Sequence, residues 1–156
     1  MASIFLEGAA RALILLHAAA AIVLIGASTH HAWICLLALR GKPRPRLMRV
    51  YAAVQAVAML TTLILGALSY PSFRYYVRGL YLDRYAPWAS NLFDLKEHLA
   101  ALALPLVIGA YVLGRSLDPA RDRAFLPTYA ALVFASAAVV WFNVISGLLI
   151  TMVRAQ

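Results

Sequence analysis

The chain has 156 residues, 64% of them hydrophobic and only 13% charged, with a mean hydropathy of +0.82. A soluble domain of this size cannot bury that much apolar surface, so the composition excludes a soluble globular protein and leaves an integral membrane protein. The net charge of +8 is carried between the apolar runs, where it reads as a topology signal at a lipid surface and excludes nucleic acid as the partner.

Four apolar stretches, about 12–39, 50–70, 95–114 and 125–153, each meet or exceed the ~20 residues that cross a hydrocarbon layer as a helix. They predict an all-α, up-down-up-down four-helix membrane bundle built as a single transmembrane domain. The first run is too long for the apolar region of a signal peptide and lacks a basic segment before it, so it is expected to be a retained span. It contains His17, the adjacent pair His30 and His31, and Cys35, the only cysteine, which has no disulfide partner in the chain and is expected to pack as a small apolar side chain.

The next stretch, "RGKPRPRLMR", carries Arg40, Lys42, Arg44, Arg46 and Arg49 without an acid, and two prolines that make it a stiff connector. Short, strongly basic loops stay in the cytoplasm. The prediction is therefore a bacterial inner-membrane protein with both termini and the 71–92 segment outside. Spans one and three then run in the same direction and lie diagonally opposite in a square bundle. Span two holds Gln55, Thr61, Thr62 and Gly66. The segment after it, rich in Tyr, Trp and Arg, is expected to be a short amphipathic helix on the outer leaflet. It reads equally as a plain connector, a lid, or a platform for a partner.

Span three opens on "FDLKEHLAAL", residues 93–102, with Asp94, Lys96, Glu97 and His98 at its start and Pro105 further in. The proline is expected to kink the helix. Span four contains Tyr129, Asn143, Ser146 and Gly147. Asn143 is expected to tie helices together, or to support a ligand histidine.

Ionisable side chains inside a membrane are costly and mark functional sites by default. His17 lies six residues past Arg11 and His98 four past Asp94, so at 1.5 Å per residue both lie within about 10 Å of the outer surface. Two histidines at matching depth on facing helices suit axial ligation of a haem iron. Gly66 and Gly147 at similar depth on the other two spans leave room for a flat macrocycle. Arg11, Arg74 and Arg78, with Lys96 and Arg154, are candidate partners for its propionates. No second histidine pair exists for another haem, and His30 and His31 are expected at the cytoplasmic interface.

On His17 and His98 the chain resembles, in architecture, the small four-helix bis-histidine b-type cytochromes of bacterial membranes. The resemblance implies one haem b and electron transfer near the outer leaflet, with a quinone or a periplasmic redox protein as partner. It departs from two-haem members in lacking a second matched pair. Other readings stay open: a haem-dependent membrane oxidoreductase, a porphyrin-free metal site formed by His17, Asp94, Glu97 and His98, or a cofactor-free assembly subunit. Self-association is compatible with each.

Overall fold

The computed structural model describes residues 4–155 apart from Ala120, with side chains through residue 153. Four helices are long and apolar enough to cross a membrane: Glu7–Leu39, Pro45–Tyr85, Pro87–Ser116 and Leu126–Val153. Their regular α-helical parts are α1 (Ala10–Leu39), α2 (Pro45–Ser72), α4 (Pro87–Ser116) and α5 (Leu126–Ala155), with a single turn, α3 (Asp83–Tyr85), between α2 and α4. At most 33% of the most apolar window of any span is buried. Large side chains such as Leu15, Ile22, Val57, Leu102 and Leu148 face outward. A helix that is apolar on both its inner and outer faces has lipid as its solvent. The chain is an all-α, four-helix membrane bundle.

Each α1–α2 and α4–α5 pair is a neighbouring hairpin, and α1 also packs along α5 and α2 along α4. That leaves α1 and α4 on one diagonal, as the alternation of directions requires. The first connection is tight. Gly41 takes the left-handed conformation (φ 79°), and the amides of Gly41 and Lys42 close on Ala38 and Leu37. Glycine suits this position because it has no Cβ to clash there. Pro45 then starts α2 at a position where the missing N–H costs nothing.

The segment after α2 is helical, as expected, and strongly amphipathic, but its winding was not anticipated. Pro71 lies inside the last turn of α2, and the chain continues as ten π-helical residues, Phe73–Leu82. Proline removes one amide and crowds the carbonyl four residues back. A wider turn relieves that crowding, and the Phe73 amide is shared between Ser69 and Tyr70. Arg78 projects from this segment and grips Asp94 of α4 with two guanidinium N–H groups at 2.6 and 2.8 Å. Asp83 lies 3.7 Å away on the same guanidinium.

The core is layered along the bundle axis. Ile34, Cys35, Met48, Tyr129 and Val133 cluster at the end of the basic turn. Leu24, Ala58, Met59, Ala103, Val107 and Val140 form a middle layer drawn from all four long helices. Leu82, Ala86, Ala89, Phe93 and Ile150 close the π-helical end, with Tyr70 and Phe73 against them. Polar side chains enter the interior at two levels, one on each side of the middle layer.

Candidate functional sites at two levels of the bundle

At the π-helical end, His17 is half-buried on the inward stripe of α1. Its Nδ1–H donates to the Thr62 carbonyl of α2 at 2.9 Å, which leaves Nε2 as a lone-pair acceptor. Gly66 lies directly beneath the ring. A Cβ there would come within 3.2 Å of Cε1, so the glycine is needed for the imidazole to approach α2 this closely.

The facing residue on α4 differs from the expected one. The buried side of α4 runs through Ala89, Phe93, Ala103, Val107, Ala110 and Gly114, and Lys96 falls on that stripe. His98, two residues on, is about 200° further round the helix. It is exposed on the outer face, its Nδ1–H bonded to the carbonyl of Asp94 in its own helix at 2.6 Å. The structure therefore does not bring His98 to His17. The Lys96 ammonium instead belongs to a half-buried side chain on the inward stripe of α4. It lies 4.9 Å from the centre of the Phe93 ring, and its Cε would be 3.8 Å from a Cβ on Gly147. Phe93 in turn stacks on Phe73 and Tyr70, with ring centroids 4.4 and 6.2 Å apart.

The expected propionate partners divide. Arg11 and Arg74 are exposed, whereas Arg78 is committed to Asp94 and Asp83. The side chain of Arg154 lies outside the described residues. Tyr76 bonds to Glu7. Among the described residues, no three His, Cys, Asp or Glu side chains converge as a metal ion would require, and His17, Asp94, Glu97 and His98 are not gathered into one site. Asn143 donates to Val139 of its own helix at 3.0 Å, so it neither links helices nor supports a histidine.

The second level was not foreseen. His31, expected at an interface, is completely buried, and only His30 is exposed there. His30 donates from Nδ1 to the Gly26 carbonyl and stacks on Tyr51. Nδ1 of His31 lies 2.7 Å from Gln55 Oε1 and Nε2 lies 2.6 Å from the Tyr129 hydroxyl. Gln55 Nε2 donates to Ser136 Oγ at 3.1 Å, and Ser136 donates to the Val133 carbonyl at 2.9 Å. Because Gln55 Oε1 only accepts, Nδ1 carries the proton and Tyr129 donates to Nε2. The neutral Nδ1–H tautomer satisfies every group, and all donors point one way along the chain from Tyr129 to Val133. The four side chains come from α1, α2 and α5. Each is no more than 1% exposed, and no buried side-chain polar atom among the described residues lacks a partner.

Gly114 completes this level from α4. A Cβ added there would meet Tyr129 Cε2 and Oη at 3.1 Å. Tyr129 is pinned by His31 and cannot withdraw. Gly114→Ala should therefore cost about 1–3 kcal/mol through overpacking, read as a lowered thermal midpoint in detergent, while Gly26→Ala, where a Cβ meets nothing within 4 Å, should cost little.

Comparison with known protein families, curated proteins and solved structures returns no significant match. The functional reading therefore rests on these two sites.

Proposed function

We propose that the chain is an electron-transfer protein of the bilayer that binds one b-type haem at the π-helical end, with His17 as its protein ligand. In this reading the basic turn faces the cytoplasm of a bacterial inner membrane. Electrons then pass between the haem and a quinone or a soluble redox protein on the outer side. The observation that carries the proposal is the setting of His17: an inward imidazole whose Nδ1–H is held by the Thr62 carbonyl at 2.9 Å, with Nε2 uncommitted. Metal-ligating histidines use this arrangement, because the carbonyl orients the ring and makes the other nitrogen more basic.

The residues fit a His17-ligated group better than the bis-histidine pair, since His98 lies on the outer face of α4. Lys96 is the cation on the inward stripe of α4, and it would either help to hold the bound group or neutralise one of its carboxylates. When bound, haem supplies a one-electron couple whose potential depends on its axial ligands and burial. The purified protein from haem-replete cells should be red, with a Soret band and sharpened visible bands on dithionite reduction. A colourless preparation that also fails to take up added haemin would overturn the proposal.

Lys96 favours a second reading, a quinone site without haem. Its ammonium can donate to one oxygen of a quinol while His17 Nε2 accepts from the other hydroxyl, and the Tyr70–Phe93–Phe73 stack offers an aromatic wall. Organic extraction of a colourless preparation should then release about one quinone per chain.

A further inference from the structure

Five of the chain's eight net positive charges lie in one ten-residue stretch, 40–49. The structure displays them together. Arg40, Lys42, Arg44, Arg46 and Arg49 are all exposed on the tight turn around Gly41 and on the first turns of α2. None of the five makes an ion pair among the described residues. The polar contact that one of them makes, Arg49 Nε to the Pro45 carbonyl at 3.4 Å, leaves its charge unneutralised. The neighbouring loop at the same end contrasts with this. There, Arg121 has Asp118 3.7 Å away, and Asp122 accepts from the Asp118 amide.

At the π-helical end, Asp83, Asp94 and Glu7 are likewise engaged. Arg78 is held by two carboxylates and Tyr76 by Glu7. None of these acids reaches the 40–49 stretch, which stands as an open cluster of five cations. Like charges this close repel one another, and that repulsion is relieved by anions delivered from outside. The turn is also stiff. Pro43 and Pro45 bracket Arg44, and the amides of Gly41 and Lys42 are bonded back to α1, so little conformational freedom is lost on engaging a ligand. Because α1 and α2 both span the bilayer from this turn, the cluster is held at the headgroup level of one leaflet.

We infer that the 40–49 turn is a binding surface for anionic phospholipid headgroups. Each guanidinium can take a phosphate bidentately, and Lys42 acts as a point charge. The inference is independent of the redox proposal, because it uses none of the residues near His17.

The test uses the full-length protein in nanodiscs of phosphatidylcholine doped with phosphatidylglycerol, with lipid retention counted by native mass spectrometry. A basic residue at an anionic surface is worth about fivefold in binding. A variant with Arg40, Lys42, Arg44, Arg46 and Arg49 all changed to Gln should retain phosphatidylglycerol at least about tenfold less well, with phosphatidylcholine unchanged. Far-ultraviolet dichroism of the same sample checks the fold. If the variant does not fold, the wild-type protein decides the matter through salt: raising ionic strength should strip phosphatidylglycerol selectively. Equal retention of the two lipids by the wild-type protein overturns the inference, as does undiminished phosphatidylglycerol on the folded variant. Displacement by millimolar inorganic phosphate at constant ionic strength would show a free-phosphate site and overturn the lipid assignment.

Discussion

Changing His31 to alanine is expected to lower the unfolding free energy in detergent by about 3–5 kcal/mol, the largest loss from any single side chain of the buried chain. Two contributions add. The missing imidazole leaves a cavity in a layer packed by Ile34, Cys35 and Val133, and large-to-small changes in such cores cost about 2–5 kcal/mol. The change also strands Gln55 Oε1 and the Tyr129 hydroxyl in an apolar interior. Interhelical hydrogen bonds in membranes average only about 0.6 kcal/mol, with a ceiling near 1.7, because the unfolded helices find other partners. Tyr129→Phe, which removes one bond and little volume, should therefore cost about 0.6–1.7 kcal/mol. His31→Leu combined with Gln55→Leu should be milder than the sum of the two single changes, because replacing both partners leaves nothing unsatisfied between them. If His31→Ala melts within a degree of the parent, the buried chain is not what joins α1, α2 and α5.

The second large effect concerns the colour of the protein. Under the haem reading, His17→Ala should remove more than about 90% of the Soret absorbance, since the iron loses its orienting ligand. His98→Ala should leave band positions and intensity nearly unchanged, because the ring lies on the outer face of α4. Lys96→Leu, which offers the iron no replacement ligand, separates two roles for the ammonium: loss of low-spin character marks ligation, whereas retained low-spin character with a lowered potential marks a neighbouring cation. Removing a nearby positive charge stabilises the oxidised iron and should lower the potential. A spectrum that survives His17→Ala but collapses with His98→Ala would place the cofactor outside the bundle interior, on the face of α4 that this single chain leaves open.

The four spans and their square arrangement were legible because long apolar runs and loop charges are local signals. The level of His17 was legible too, since depth follows from counting residues at a fixed rise. What counting along the chain did not supply was the direction each side chain faces. His98 and Lys96 differ by two residues and by less than one turn of depth, yet one faces outward and the other inward. The phase could have been read from the small-residue stripe Ala89, Ala103, Ala110 and Gly114, which marks the packed side of α4. His31 was misread for a related reason. Its spacing of fourteen residues from His17 puts it on the same inward face, but no other helix holds a histidine at that depth to pair with it, and the expectation fell on an interface. Its partners Gln55, Tyr129 and Ser136 are spread over two other helices. Each had the look of an isolated polar residue until helix register brought them to one level. The π-helical winding after Pro71 left no trace in hydropathy, which does not distinguish turn widths.

The middle layer of Leu24, Ala58, Met59, Ala103, Val107 and Val140 has an electrical consequence. It separates the His17 and His31 levels, which lie about 21 Å apart along α1 at the usual helical rise. Its buried residues are all apolar. Such a layer acts as a capacitor's dielectric, across which most of the transmembrane voltage falls. Moving one elementary charge through it against 100 mV would cost about 2.3 kcal/mol, before any cost of desolvation. Under the haem reading, charge exchanged at the His17 end should therefore return to the side from which it came. Reconstituted into sealed vesicles, the protein should leave an imposed potential undissipated, and any redox chemistry at the His17 end should run at a rate indifferent to that potential.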